Sequence, residues 1–257
     1  MAIAGLPADG RELAGKVALV TGGAKNIGRA ISLALASAGA SVAVNTQHSR
    51  EEAVALVKQI REAGGAAEVC MADIADAEAV KEMGNGIVKR FGRIDILVLN
   101  ASIRREALFK DMTFEQWRAT MSISLDGSFH CIKACLPSML ASRGGSIITL
   151  AGDTALLGAV RKAHNSAAKN GLVGLTRALA KELAEDGIRV NCVSPGNINT
   201  TRPAHRSPRT DAKGTIPLGR WGEAEEIAAV VRFLSGPGGG FITGQTIHVN
   251  GGQMMFA

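Results

Sequence analysis

Short β-branched runs alternating with longer helical patterns along nearly the whole chain set the strongest limit on its fold. Val17–Val20, Ser41–Val44, Ala67–Cys70, Ile94–Leu99, Ser146–Leu150, Arg189–Val193 and Thr246–Val249 read as seven strands. Between and around them Ile27–Ala38, Arg50–Ala63, Asp76–Phe91, Thr113–Met121, Gly127–Ala141, His164–Glu185 and Glu223–Leu234 carry helix periodicity. Several strands are apolar almost throughout, as a parallel strand covered on both faces must be. Parallel strands need long crossovers, so the order predicts an α/β fold: a doubly wound, parallel, seven-stranded sheet with helices on both faces. A β/α barrel is the alternative that length alone allows.

With 257 residues, 46% of them hydrophobic, the chain builds one sizeable core and is too short for two comfortable α/β domains, so residues 1–257 are expected to form a single domain. The long irregular stretch is 196–221, with Pro203, Pro208 and Pro217. It leaves the carboxyl end of a strand, where open α/β sheets bind ligands, and is expected to be the substrate-side loop. Cys70, Cys131, Cys135 and Cys192 form no C-x-x-C pair, which argues against zinc or disulfide scaffolding and for reduced thiols; Cys131 and Cys135, one helical turn apart, read as packing. Met1–Lys16 lacks the apolar run of a signal peptide, and no stretch approaches the ~18 apolar residues of a membrane span. A soluble, cytoplasmic protein is the expectation. The net charge of +6 is dispersed and aromatics are only 4%, which speaks against a nucleic-acid surface. There is no tyrosine, so no mechanism can use a phenol from this chain.

Directly after the first strand comes TGGAKNIGRA, Thr21 to Ala30, a small-residue turn into a helix. Exposed backbone N–H groups and the helix dipole suit a pyrophosphate there. Gly22 and Gly23 allow close approach and Gly28 allows tight packing of helix on strand. Asn26 stands where a further glycine would be easiest, and asparagine tolerates left-handed backbone angles best among the other residues. After the second strand Asn45, Thr46, Gln47, His48, Ser49 and Arg50 offer no carboxylate for a free ribose 2′-hydroxyl, and Lys25 in the turn can face the same ribose. That rim favours the 2′-phosphate of NADP(H) over NAD(H). Solvated charges at Lys25 and Arg50 are the plainer alternative.

From about Lys16 to Gly252 the chain resembles the short-chain dehydrogenase/reductase family, which implies a Rossmann-like NAD(P)-binding domain. TGGAKNIG is similar to its TGxxxGxG turn, with Ile27 and Gly28 closing it. Asp73-Ile74 resembles the pair that contacts adenine. Leu97 to Ser102 is similar to its LVNNAG, keeping Asn100 and Ala101. Pro195, Gly196, Ile198 and Thr200 resemble the segment beside the nicotinamide, and Gly244-Gln245 to Gly252 resembles its last strand and turn. The resemblance implies hydride transfer to a carbonyl, assisted by a tyrosine acid, a lysine, a serine and an asparagine. Position by position, the lysine is Lys169, the tyrosine falls on Asn165, the serine on Gly152 and the asparagine on Ser124. Only the lysine is kept, which implies a divergent member with a degenerate active site.

A positioned acid is worth about 10²–10⁴-fold in rate, and Asn165 does not titrate near neutrality. Losing the serine hydroxyl at Gly152 removes a donor worth roughly 10²–10³-fold. Asp153 is the best substitute acid in sequence, with a solvated loop acid or helix cap as its plain reading. His164 should face elsewhere on its helix. Arg104, Arg105, Arg161, Lys162, Arg202, His205, Arg206, Arg209 and Lys213 surround the expected site and suit an anionic ligand or simply solvent. Trp221, Met254, Met255 and Phe256 are expected in core or interface, in keeping with the homo-oligomers, dimers or tetramers, that the resemblance implies. Three readings follow. The first is an NADP(H)-dependent oxidoreductase whose substrate needs little acid help or takes its proton from Asp153 or water. The second is a catalytically silent relative that binds the dinucleotide for regulation or assembly, and the third is a lyase or isomerase using Lys169 or Asp153.

Overall fold

A computed structural model of the chain describes residues 10–201, 212 and 214–255. Its strands are β1 (Val17–Val20), β2 (Ser41–Thr46), β3 (Ala67–Met71), β4 (Ile96–Leu99), β5 (Gly145–Leu150), β6 (Ile188–Pro195) and β7 (Thr246–Val249). Helices α1 (Asn26–Ser37), α2 (Arg50–Glu62), α3 (Ala77–Phe91), α4 (Phe114–Met121), α5 (Gly127–Ala141), α6 (Asp153–Leu157), α7 (Ala163–Glu182) and α8 (Ala224–Ser235) connect them. All neighbouring strands pair in parallel, in the order β3-β2-β1-β4-β5-β6-β7. The sheet is open, which excludes the barrel. Its order reverses direction between β1 and β4, and a crevice opens there outside the strand ends.

Two apolar layers cover the sheet. On one face Ile31 and Leu35 of α1 and Ile227 and Val231 of α8 pack on Val20, Val44 and Ile148. On the other, Met83 and Ile87 of α3 and Cys135 and Met139 of α5 pack on Leu19, Leu97 and Val190. Alternate strand residues feed the two layers, which is why the strands read as continuous apolar runs. Local chemistry agrees with the helix ends. Asp76 caps α3 by accepting from the N–H groups of Glu78 (3.0 Å) and Ala79 (3.1 Å), and Gly92, at φ +85°, ends it.

The expected elements form, with three differences. Strand β4 begins at Ile96; ahead of it the N–H of Ile94 donates to Ser138 Oγ (2.8 Å), and Asp95 bridges to the neighbouring strands, its N–H donating to the carbonyl of Val17 (2.9 Å), its carbonyl accepting from the N–H of Ser146 (2.8 Å) and its carboxylate accepting from the N–H of Val17 (3.0 Å). The helix α6 had no periodic signal, being only one turn and a half long. Between α4 and α5 the chain passes through a π-helical turn, Ser122–Asp126. Burial pushes the Cys70 and Cys131 thiols up to about 12, and Cys135 and Cys192 upward too, as packing residues should show. Met254 is buried and Met255 exposed, whereas Trp221 lies against the crevice instead of in the core. Arg202, His205, Arg206, Arg209, Lys213, Pro203, Pro208 and Phe256 lie outside the described residues. None of the described helices is long and apolar enough to cross a membrane.

Candidate active site

The turn after β1 is built around Thr21. Its hydroxyl donates to the carbonyl of Val98 (3.2 Å) and accepts from the N–H groups of Asn100 (3.0 Å) and Ala101 (3.1 Å). The Asn100 amide donates in return to the carbonyls of Thr21 and Gly22, both at 3.0 Å. Asn45 at the end of β2 accepts from the N–H of Gly22 (3.4 Å) and donates to the carbonyls of Cys70 and Ala72. The ends of β1, β2, β3 and β4 are thus pinned to one another by side-chain amides and a hydroxyl. Gly23 is buried beneath the turn. At Gly28 a Cβ atom would sit 2.1 Å from the carbonyl oxygen of Gly22, so no other residue fits without moving the turn.

Asn26 adopts φ +50°, the left-handed angle for which asparagine is suited. Its side chain has a second task that the sequence did not signal: Oδ1 accepts from the N–H of Thr201 at 2.8 Å and ties the turn to the segment that follows β6. The first turn of α1 carries no acidic residue, and Lys25, at its N-cap, makes no side-chain cap. No side-chain cap occupies the N–H groups there, and the donor set fits a dinucleotide pyrophosphate. On the rim, Lys25 Nζ pairs with Glu52 Oε1 at 2.5 Å, which holds the Glu52 carboxyl below its ordinary range. Thr46 Oγ1 accepts from the N–H of Ser49 (3.1 Å). Asp73 accepts from the Gln47 amide (2.6 Å) and from the N–H of Ala75 (2.9 Å), while Ile74 is buried beside it.

A cleft continues from this turn across the ends of β5 and β6. Its walls include Ile27, Ser102, Gly152, Asn165, Lys169, Pro195, Gly196, Ile198, Thr200 and Trp221. Lys169 stands one turn after Asn165 on α7 and donates from Nζ to the carbonyl of Leu150 at 2.5 Å. Burial, and after it the charge of Arg104, push its ammonium down to about 8. The Asn165 amide donates to the carbonyl of Arg105 at 3.1 Å, and the N–H of Ala107 donates to the carbonyl of Arg161 at 3.0 Å. The loop after β4 is thereby held against the start of α7. Among the described residues lining the cleft, Arg104, Arg105, Lys162 and Lys169 are cationic and none is acidic.

The structure brings Gly152, Asn165 and Lys169 together and leaves Ser124 and Asp153 outside. Ser124 is buried in the π-helical turn with no hydrogen-bond partner for its hydroxyl and is not among the residues of the cleft wall. Asp153 is only 3% exposed, so it is not a solvated loop acid; it is not among the residues of the cleft wall, and its Oδ2 is buried without a hydrogen-bond partner. Its Oδ1 accepts from Ser194 Oγ (3.0 Å) and meets His248 Nδ1 (3.4 Å). Those two side chains sit in register on β6 and β7, and they draw the carboxylate into the interior. His164 is buried as well, with both ring nitrogens unpartnered, and burial followed by Arg105 lowers its pKa. The role of Trp221 as a cleft wall had no sequence signal.

The comparisons agree with this geometry. A family model described as enoyl-(acyl carrier protein) reductase matches residues 22–254. A 3-oxoacyl-[acyl-carrier-protein] reductase of Synechocystis sp. is 41% identical over 245 residues, covering 95% of this chain and 99% of its own. Among solved structures, a blue fluorescent protein from a metagenomic library, in complex with NADPH, superposes with a TM-score of 0.89 at 35% identity, covering 95% of this chain and 100% of its own. A gluconate 5-dehydrogenase from Burkholderia cenocepacia, in complex with NADP and tartrate, superposes with a TM-score of 0.89 at 32% identity, over 95% of this chain and 97% of its own. With the turn, the crevice and the lysine in these positions, the chain belongs to the short-chain dehydrogenase/reductase family.

Proposed function

We propose that this protein is an NADP(H)-dependent reductase of small anionic carbonyl compounds, or of iminium-like or quinone-like acceptors, working without the phenol and serine hydroxyl its family uses. The observation that carries the reading is the cleft wall on which Gly152, Asn165 and Lys169 converge beside Pro195–Thr200. The relatives' names support reduction, and the two solved relatives bind NADPH and NADP. The first turn of α1, with Gly22, Gly23, Lys25, Asn26, Ile27 and Gly28, is the assigned holder of the pyrophosphate. Lys25 and Thr46 are assigned to the 2′-phosphate side, Asp73 and Ile74 to the adenine, and Asn100, Ala101, Lys169, Pro195, Gly196, Ile198 and Thr200 to the nicotinamide half. Bound there, the cofactor supplies the hydride.

Arg104, Arg105 and Lys162 are assigned to an anionic group on the substrate, since guanidinium and ammonium donors on a cleft wall suit carboxylate or phosphate. Asn165 spends one of its two amide N–H bonds on the carbonyl of Arg105 and has the other for a substrate oxygen, but it cannot give up a proton. Calorimetric titration with NADPH and NADH tests the cofactor site; heat with neither overturns the reading. Stereospecific loss of deuteride from labelled NADPH across carbonyl, imine and quinone panels tests the chemistry. Binding without transfer favours the silent regulatory or assembly role, for which the absence of tyrosine is the supporting fact. A Gly152→Ser, Asn165→Tyr double variant should raise ketone reduction by at least tenfold. At Gly152 a Cβ would meet nothing closer than the carbonyl of Pro195 at 3.8 Å, so the serine fits.

A further inference from the structure

We infer that the ammonium of Lys169 itself delivers the proton to the substrate oxygen, directly or through one water, instead of tuning a phenol that does so. This rests on the reductase reading and adds to it the identity of the acid. Asp153 has turned to Ser194 and His248, Ser124 is enclosed, and His164 is buried off the cleft wall. Arginines do not release protons near neutrality. Lys169 lines the cleft, and of its three N–H bonds one is spent on the carbonyl of Leu150, which fixes the nitrogen in place.

The surroundings favour release. Burial and then the charge of Arg104, on the loop after β4, work toward release, and Cys192 on β6 works against it; Arg105 and, from the start of α7, Lys162 line the same cleft. An ammonium near 8 is largely charged at pH 7 and far more acidic than a free lysine, which suits an acid operating near neutrality. In the step, hydride passes from a C–H bond of NADPH, which is oxidised to NADP⁺, to the carbonyl carbon; the C=O π pair moves to oxygen and takes the proton as an N–H bond of Lys169 breaks and the O–H bond of the alcohol forms, and the neutral amine regains a proton from solvent.

Two measurements test the assignment. Competitive acetylation of the free protein, followed by mass spectrometry across pH 6–11, should give Lys169 a half-point near 8, well below the other lysines. A half-point at the ordinary value of about 10.4 overturns the proposal. Deuteride transfer from labelled NADPH should fall about tenfold per pH unit above that half-point. Lys169→Arg keeps a cation at the nicotinamide half, so it should still bind NADPH by calorimetry yet lose roughly 10²–10⁴-fold in transfer and lose the alkaline fall. Lys169→Ala should regain transfer with added primary amines, more with amines of lower pKa. A flat profile, or transfer in Lys169→Arg equal to the parent, refutes the proposal while leaving the reductase standing. NADPH binding with no transfer at any pH refutes both.

Discussion

Replacing Asn26 separates two jobs that one side chain performs. Its backbone stands at φ +50°, and its amide oxygen accepts from the N–H of Thr201 at 2.8 Å. In Asn26→Ala the left-handed angle is kept by a residue with no local polar compensation, at a cost of about 1 kcal/mol relative to asparagine. The exposed hydrogen bond to Thr201 is lost as well, worth about 0.5 kcal/mol. The sum, about 1.5 kcal/mol, lowers Tm by roughly 3–6 °C in a domain of this size. Asn26→Gly loses the same hydrogen bond but gains free access to positive φ, so the two changes cancel to within about 0.5 kcal/mol. Scanning calorimetry on the cofactor-free protein should therefore rank the variants with alanine clearly lowest and glycine close to the parent. Equal Tm values for alanine and glycine would show that the backbone angle carries no cost. A glycine variant as unstable as alanine would put the whole effect in the tie to Thr201.

Glu52→Gln should release Lys25 from its partner at 2.5 Å and tighten NADPH by about two- to fivefold at low salt, with NADH unchanged in the same titrations. Asp153→Ala removes one partner of the Ser194 hydroxyl and one of the His248 ring; urea unfolding should show a loss of about 1–3 kcal/mol, whereas deuteride transfer per folded molecule should stay within a few-fold. A drop of several hundred-fold in transfer would restore Asp153 as the acid. Because the folded-state pKa of Lys169 is depressed, the unfolded chain binds more protons between pH 8 and the ordinary lysine value, so this group makes folding more favourable as pH rises through that window. Lys169→Met should flatten that rise in urea midpoints measured from pH 7.5 to 10.

The sheet was legible because its evidence is collective: each buried strand repeats the same apolar demand, and the crossovers leave few topologies. The cofactor turn was legible for a related reason. Gly28 has no alternative where Gly22 O stands 2.1 Å from any Cβ, and such a requirement marks the sequence. The surroundings of Asp153 were not legible because the identity of its partners depends on long-range geometry. Ser194 and His248 are 41 and 95 residues away and meet only through β6–β7 register. The tie between Asn26 and Thr201 spans 175 residues and was invisible for the same reason. Lys169 could be aligned by its position one turn after Asn165, but its altered acidity comes from burial and Arg104, which no local pattern encodes.

All four cysteines are held as protonated sulfhydryls by their surroundings, three of them out of solvent contact. Alkylating agents attack only the deprotonated sulfur, so the intact protein should resist iodoacetamide for as long as it stays folded. Labelling then becomes a clock for global opening, readable by intact mass without any dye or engineered tag. The same mass spectrum would time how long a bound nucleotide keeps the molecule closed.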